Sequence, residues 1–188
     1  CGMRVVGFDP FVTGERMERL GIERCEKLED LLAHSDLVTV HVPMTDASRG
    51  LIGAKELAAC RKGVRIVNCA RGGIVDEAAL ADALRSGQVA AAGIDTLEKE
   101  PDFSLKPEDQ TYANPLLDLE NVVITPHLGA STSEANLNVS IQSARLVESV
   151  LKGEIVAAVN MPLLRGGELA ELRPWADLAE KLGRIYYQ

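Results

Sequence analysis

The sequence contains few aromatic residues, no strongly basic stretch and no long apolar run. Aromatic side chains make up 4% of its 188 residues, and the formal net charge is −8. An acidic chain of this kind is not expected to present a nucleic-acid-binding surface. No apolar run approaches the roughly 20 residues that a membrane-spanning helix needs, and no signal peptide is recognisable. These features predict a cytoplasmic protein without nucleic-acid or membrane partners.

Cysteines are also scarce, and their positions form neither a metal-ligand spacing nor a close pair. The four are Cys1, Cys25, Cys60 and Cys69. The simplest interpretation is a set of reduced thiols in the cytoplasm, with no metal site expected.

Short apolar runs alternate with helical patterns along the chain. The predicted strands are 4–9, 36–41, 64–68, 89–94 and 121–125. The predicted helices are 14–20, 28–33, 54–60, 77–86 and 132–152, with a further helical pattern over 169–187 that Pro174 breaks or restarts. This alternation predicts βαβ units, and the nearly continuous apolar strands indicate burial on both faces. We therefore expect an α/β chain with a Rossmann-like, doubly wound parallel sheet.

Three polar side chains come directly after predicted strands or close behind them: Arg71, Glu100 and His127. Ligands of open α/β sheets bind at the carboxyl ends of the strands, so these groups converge if their strands share one sheet. A guanidinium that binds anions, an imidazole that carries a proton and a carboxylate beside it suit acid–base chemistry on a carboxylate substrate.

Each of these residues also has a purely structural interpretation. Arg71 alone is compatible with a surface arginine, Glu100 with a solvated charged loop, and His127 with a histidine that caps a strand. Cys69 has no base visibly placed for it, so a packed thiol that lines a cofactor is favoured over a nucleophile.

Asp9 ends the first predicted strand. A carboxylate there can hydrogen-bond a ribose diol and repel a 2′-phosphate, which favours NAD over NADP. Asp is also common in turns, and Pro10 follows it. Position alone leaves the two interpretations open.

The glycine-rich phosphate loop that normally accompanies such an acid is absent. It is expected roughly 20 residues before the acid, whereas only eight residues precede Asp9. We therefore expect the chain to begin inside a dinucleotide-binding domain, after its first strand and Gly-x-Gly-x-x-Gly loop, with strand edges exposed. The predicted division is residues 1–153 for this domain, 154–167 for a return segment and linker, and 168–188 for the start of another domain.

Two motifs carry a family resemblance. Residues 67–77 read Val-Asn-Cys-Ala-Arg-Gly-Gly-Ile-Val-Asp-Glu, and residues 126–132 read Pro-His-Leu-Gly-Ala-Ser-Thr. From Gly2 to about Pro162 the chain resembles the D-isomer-specific 2-hydroxyacid dehydrogenases, and the second motif matches the phosphoglycerate branch of that family. The resemblance implies an NAD-dependent oxidoreductase acting on a small 2-hydroxyacid or 2-ketoacid, with 3-phosphoglycerate and serine biosynthesis expected for that branch. It also implies a homodimer or homotetramer.

The resemblance assigns roles to individual residues. Arg71 would bind the carboxylate and carbonyl of the substrate, His127 would act as the acid/base, and Glu100 would pair with His127. Asp9 would hold the adenosine ribose, and Asp95 would lie near the nicotinamide carboxamide. The remaining cofactor-lining positions are Val42, Cys69, Ala70, Arg71, His127, Gly129 and Ala130. Val42 stands where the family often has threonine, so only backbone and apolar contacts are expected from it.

Two stretches depart from the pattern of the family. The polar segment from Pro101 to Glu120 looks longer than the usual connection and is interpreted as a mobile lid or a surface insertion. The tail over 168–188 resembles the beginning of a C-terminal regulatory domain.

Two classes of function remain open. The first is a dehydrogenase domain that carries its catalytic residues, and the second is a non-catalytic NAD-binding or protein-interaction module of the same family. The missing phosphate loop motivates the second. The presence of Arg71, Glu100 and His127 together favours the first, since a pure binding module has no chemical need for them.

Overall fold

A computed structural model describes residues 2–102, 105–106, 112–129, 131–154, 156 and 166–186. The chain divides into two compact units, Cys1–Ala130 and Ser131–Gln188. Within the described ranges, no helix is both long and apolar enough to cross a membrane. The predicted boundaries after residues 153 and 167 stay a prediction.

In the first unit, strands and helices alternate as predicted. The strands are β1 (Val6–Gly7), β2 (Glu23–Arg24), β3 (Leu37–Val40), β4 (Val64–Asn68), β5 (Val89–Ile94) and β6 (Val122–Ile124). The helices are α1 (Gly14–Arg19), α2 (Leu28–His34), α3 (Ala54–Ala59) and α4 (Glu77–Arg85). The α/β prediction is confirmed, and the bounds of β4 and β5 agree with it residue for residue. The predicted strand over 4–9 is shortened to two residues, because it pairs only with the equally short β2.

The strands form two parallel sheets, β1–β2 and β3–β4–β5–β6. In the larger sheet every neighbouring pair is parallel, so its four strands all end at the same edge. The smaller sheet pairs Val6 with Glu23 and Gly7 with Arg24, and it shares no strand pairing with the larger one.

The core lies between the larger sheet and its helices. Ile66 on β4, Leu80 on α4 and Val89 on β5 are fully buried. Burying side chains of this size stabilises the fold by about 1.5–3 kcal/mol each relative to leaving them in water. β4 and β5 are therefore rigidly held, and the loops that follow them start from fixed positions.

The described residues of the second unit include two helices, α5 (Ser133–Leu151) and α6 (Gly166–Tyr186). The Thr132 hydroxyl accepts the Ala135 N–H at 3.0 Å and caps the start of α5, which forms where the sequence predicts it. None of the described side chains of α5 is buried. The expected break at Pro174 is wrong, because α6 runs through that residue and tolerates the loss of one backbone donor. The predicted linker over 154–167 falls mostly outside the described residues, and its last two residues begin α6.

Candidate active site

Asn68 closes the turn that carries Arg71. Asn68 is the buried last residue of β4; its Oδ1 accepts the Ala70 N–H at 3.1 Å, and its Nδ2 donates to the Arg71 carbonyl at 2.9 Å. The Arg71 side chain is exposed and donates to the Ala70 carbonyl at 2.6 Å. Sequence reasoning missed this contribution of Asn68, although an asparagine at the end of a strand, just before a glycine-containing segment, is a turn signal.

The turn after Arg71 packs on the segment that leads to Glu100. Gly72 lies against the backbone of Leu97 and Glu98 so closely that no side chain fits between them. Gly73 follows with a φ of 77°, a left-handed conformation that suits glycine. The two segments that carry Arg71 and Glu100 are therefore in direct backbone contact.

His127 and Glu100 form a hydrogen-bonded pair. The Nδ1 atom of His127 lies 2.7 Å from Oε1 of Glu100. Because an ionised carboxylate only accepts hydrogen bonds, Nδ1 carries the proton and Nε2 is left for chemistry. The side chains are 43% and 39% exposed, so a substrate can reach the pair. Among the described residues, the Arg71 guanidinium makes no hydrogen bond or ion pair with either of them.

Asp95 holds the turn in which His127 stands. Its carbonyl accepts the His127 N–H at 3.0 Å. Its carboxylate accepts the N–H groups of Leu128 at 2.8 Å and Gly129 at 3.1 Å, and the hydroxyl of Thr125. Burial alone would raise the pKa of Asp95. These hydrogen bonds, with a smaller contribution from the His127 imidazole, outweigh burial and lower the pKa below its usual 3.8. Asp95 is therefore ionised at neutral pH.

The backbone of His127 is in an uncommon conformation. Its φ is 53°, in the left-handed region that few residues other than glycine adopt. The bonds from Asp95 fix this conformation and so aim the imidazole. The predicted contact of Asp95 with the nicotinamide carboxamide, and that of Gly129 with the cofactor, stay predictions. Ala130 lies outside the described residues.

A cavity of about 250 Å³ adjoins the His127–Glu100 pair. Its other walls are mostly apolar and include Leu97, Tyr112 and Ile124. Apolar walls lower the local dielectric constant, so the charges of the pair interact more strongly than they would in open water.

Asp9 lies at the end of β1 and uses one carboxylate oxygen locally. Its Oδ1 accepts the N–H groups of Phe11 at 2.8 Å and Val12 at 3.2 Å, which is the turn interpretation. In the described part of the chain, nothing donates a hydrogen bond to Oδ2. One oxygen therefore fixes the turn while the other is free for a ribose diol, and the two interpretations are compatible.

Three more of the predicted cofactor-lining residues follow strands of the larger sheet. Val42 follows β3 and Ala70 follows β4, and both are half-buried against the core, where they offer apolar surface. Cys69 beside them is exposed, with a free thiol. Searching the described residues finds no group of three or more His, Cys, Asp or Glu able to hold a metal ion. The sequence supplies no glycine-rich loop for a pyrophosphate.

Comparison with known proteins identifies sequence relatives. The family model described as "D-isomer specific 2-hydroxyacid dehydrogenase, NAD binding domain" matches residues 1–129. The chain is 47% identical over 184 residues to D-3-phosphoglycerate dehydrogenase of Archaeoglobus fulgidus, covering 97% of this chain and 33% of the relative. It is 43% identical over 188 residues to that of Bacillus subtilis, covering 100% and 34%. The chain thus spans about a third of the length of these curated relatives.

Solved structures share the fold. D-lactate dehydrogenase from Aquifex aeolicus, complexed with NAD and lactic acid, superposes with a TM-score of 0.66 at 30% identity, covering 81% of this chain and 47% of that one. This likeness shows that the two chains share a fold, in agreement with the family match over residues 1–129.

Proposed function

This chain belongs to the D-isomer-specific 2-hydroxyacid dehydrogenase family and carries its NAD-binding domain, and from that premise we propose that it serves the NAD-dependent oxidation of a D-2-hydroxyacid to the 2-ketoacid. The observation that carries the proposal is the 2.7 Å contact between His127 and Glu100, one backbone contact away from the turn of Arg71. The names of the curated relatives favour 3-phosphoglycerate as the substrate.

His127 is the proposed acid/base. In the oxidation direction, Nε2 takes the proton of the substrate hydroxyl, and the Glu100 carboxylate stabilises the imidazolium that forms. In the reverse direction, the imidazolium returns that proton to the developing alkoxide. The bound nicotinamide supplies the hydride chemistry. Asp95 contributes by fixing the His127 turn, so the imidazole needs little reorganisation.

Arg71 is the proposed anchor of the substrate. Its planar guanidinium matches a carboxylate with two parallel hydrogen bonds, a geometry that lysine cannot reproduce. Its present contact is with the exposed carbonyl of Ala70, and substrate binding would replace that contact. Asp9, Val42, Cys69 and Ala70 are proposed to line the cofactor.

Arg71→Ala tests the assignment. The chain is assayed for reduction of NAD with 3-phosphoglycerate and then with other D-2-hydroxyacids. We expect the substitution to lower kcat/KM by about 10²- to 10³-fold, because it removes a charged donor from the reacting centre. Arg71→Lys should give a smaller loss, and Arg65→Ala, at an exposed position on β4, should leave turnover unchanged.

Near-normal turnover in Arg71→Ala would exclude this role for the arginine. If the unsubstituted chain binds NADH, measured by fluorescence, but turns over none of the hydroxyacids, the result favours the alternative of a non-catalytic NAD-binding module.

The homo-oligomer implied by the family is also a proposal. Apolar side chains exposed on α5 support it, among them Leu137, Val139 and Ile141. Sedimentation equilibrium measures the assembly directly, and a monomer at micromolar concentration would contradict it.

A further inference from the structure

Glu77 contacts the segment that carries Glu100, although it lies at the start of α4. Its Oε1 accepts the backbone N–H of Glu98 at 2.6 Å, and its Oε2 accepts the Nδ2 of Asn114 at 2.6 Å. The carboxylate therefore joins three parts of the chain: the first turn of α4, the segment after β5 and the segment before β6. Nothing in the proposed chemistry requires this arrangement at Glu77.

Tyr112 completes the arrangement at the peptide group that links Lys99 to Glu100. Its hydroxyl donates to the Lys99 carbonyl at 2.5 Å and accepts from Asn114 Nδ2 at 3.1 Å. Burial raises the pKa of Tyr112, and the hydrogen bond from Asn114 offsets only part of this rise. The negative charges of Glu77 and Glu100 raise the pKa further. The Tyr112 hydroxyl therefore stays protonated and able to donate. Asn114 is itself fixed, because its Oδ1 accepts the Leu116 N–H at 3.0 Å.

Glu77, Asn114 and Tyr112, here called the clamp, thus hold the N–H of Glu98 and the carbonyl of Lys99. The two groups belong to the Leu97–Glu98 and Lys99–Glu100 peptides, and the second of these leads directly into Glu100, whose side chain is partly exposed. The backbone of Leu97 also lies against Gly72. Holding these two peptide groups restricts where the Glu100 side chain can go, which is the kind of support that a partly exposed catalytic pair requires.

We propose that Glu77 is a positioning residue that acts through the clamp to keep Glu100 at hydrogen-bonding distance from His127. The inference rests on the proposed function for its catalytic consequence. The structural part of the proposal states that Glu77 maintains the hydrogen bond between His127 and Glu100, and this part is testable without turnover.

The first test is Glu77→Gln. This substitution keeps one acceptor but sets the NH₂ group of the new amide against a donor, either Glu98 N–H or Asn114 Nδ2. Glu98→Gln is the matched control: it removes a charge from the same segment and leaves the backbone N–H of Glu98 in place.

The spectroscopic readout uses ¹⁵N-labelled histidine in the full chain. Two-bond ¹H–¹⁵N spectra report which ring nitrogen of His127 carries the proton, and His127→Asn assigns the signal. We expect the Nδ1–H tautomer in the unsubstituted chain and in Glu98→Gln, and a mixture of tautomers in Glu77→Gln. An unchanged tautomer in a folded Glu77→Gln would overturn the proposal.

The kinetic readout separates this inference from the function itself. We expect kcat of Glu77→Gln to fall about tenfold or more with KM nearly unchanged, since a misplaced catalytic group affects the chemical step. In a Glu100→Gln background the same substitution should have little further effect. Additive effects would overturn the proposal. If the unsubstituted chain shows no turnover, the proposed function fails. The tautomer measurement alone then decides whether Glu77 positions Glu100. If Glu77→Gln does not fold, Tyr112→Phe replaces it with the same expectations.

Discussion

A Cβ atom on Gly72 would lie 2.0 Å from the carbonyl oxygen of Leu97. The clash is between backbone atoms, so no side-chain rotation relieves it. The turn of Arg71 and the segment of Glu100 therefore depend on one another for their positions. This close approach explains why a glycine stands directly after the arginine: any Cβ atom at position 72 would meet the backbone of Leu97.

Gly72→Ala should separate these two segments. We expect the free energy of unfolding to fall by about 3 kcal/mol, the upper part of the range for overpacked sites, because both partners are backbone. Urea unfolding followed by far-ultraviolet circular dichroism measures it. Gly93→Ala is the control, since its Cβ would meet Val67 at an ordinary 3.9 Å. Equal stability of the two variants would contradict the close packing.

Asp95→Asn should reveal how the His127 turn depends on pH. The folded-state pKa of Asp95 lies below its usual 3.8, so the charged side chain stabilises the fold above about pH 4, and this contribution is lost as pH falls through the folded-state value. We expect Asp95→Asn to cost about 1–3 kcal/mol at pH 7, where it disrupts bonds to a charged acceptor.

The difference between Asp95→Asn and the unsubstituted chain should shrink below pH 4, as urea titrations at several pH values will show. Asp118→Asn, at an exposed position, provides the baseline. A difference that stays constant down to the lowest pH at which the chain folds would rule out the ionised acceptor.

Replacing threonine with valine should raise the stability of the fold at Thr96 and lower it at Thr125. Thr96 is 1% exposed, and its hydroxyl is the buried side-chain polar atom that finds no partner within the described ranges. Thr96→Val replaces the unpaired hydroxyl with a methyl group of similar size, so we expect the free energy of unfolding to rise by about 1 kcal/mol. Thr125→Val removes the hydroxyl that donates to Asp95 and should destabilise the fold. Melting temperatures test the pair, and two shifts of the same sign would contradict the interpretation.

Asp9→Asn should weaken the preference for NAD over NADP. An Asn retains the Oδ1 acceptor for Phe11 and Val12, and it no longer repels a 2′-phosphate. We expect the ratio of the two dissociation constants, measured by calorimetry, to change by about tenfold, equivalent to about 1.4 kcal/mol. Asp9→Ala removes the turn contact too and should also lower stability. An unchanged ratio would leave Asp9 with its turn role alone.

NAD should protect Cys69 from alkylation. Cys69 is exposed, whereas Cys60 is buried, and both burial and the nearby Glu56 raise the pKa of Cys60. The chain is treated with iodoacetamide, and mass spectrometry follows the modification of each cysteine. We expect Cys69 to react before Cys60, and to react more slowly when NAD is saturating. Cys60 should react only after urea is added. An unchanged rate at Cys69 while NAD binding is detected would remove this residue from the cofactor lining.

The elements of the fold follow from local pattern where the pattern is strong. The mostly apolar runs at Val64–Asn68 and Val89–Ile94 gave the correct bounds for two central strands. The expected burial on both faces is wrong for them, because Arg65 and Ala90 are exposed and the buried residues lie mainly on one face of each strand. The first predicted strand was longer than β1, because strand length there depends on pairing that no local pattern encodes. The continuation of α6 through Pro174 likewise went against the local propensity.

At the site, the sequence supplied residue types, and folding decided their partners. Glu100 stands among other charged residues in the sequence, and the structure sets it against His127. Glu77 and Asn114 attracted no functional prediction. Their contact joins residues 37 positions apart, in segments that the sequence shows only as a helix start and a polar loop.

By itself, the sequence determined an α/β chain of the 2-hydroxyacid dehydrogenase family, because helix and strand periodicity and two local motifs are readable residue by residue. Only the tertiary structure decided that Asp95 fixes the His127 turn, that Gly72 touches Leu97, and that Glu77 supports Glu100. Those contacts depend on the register of parallel strands, which brings the segments after β4, β5 and β6 to one edge of the sheet. That register is set by long-range packing of the buried core, and no local pattern in the chain specifies it.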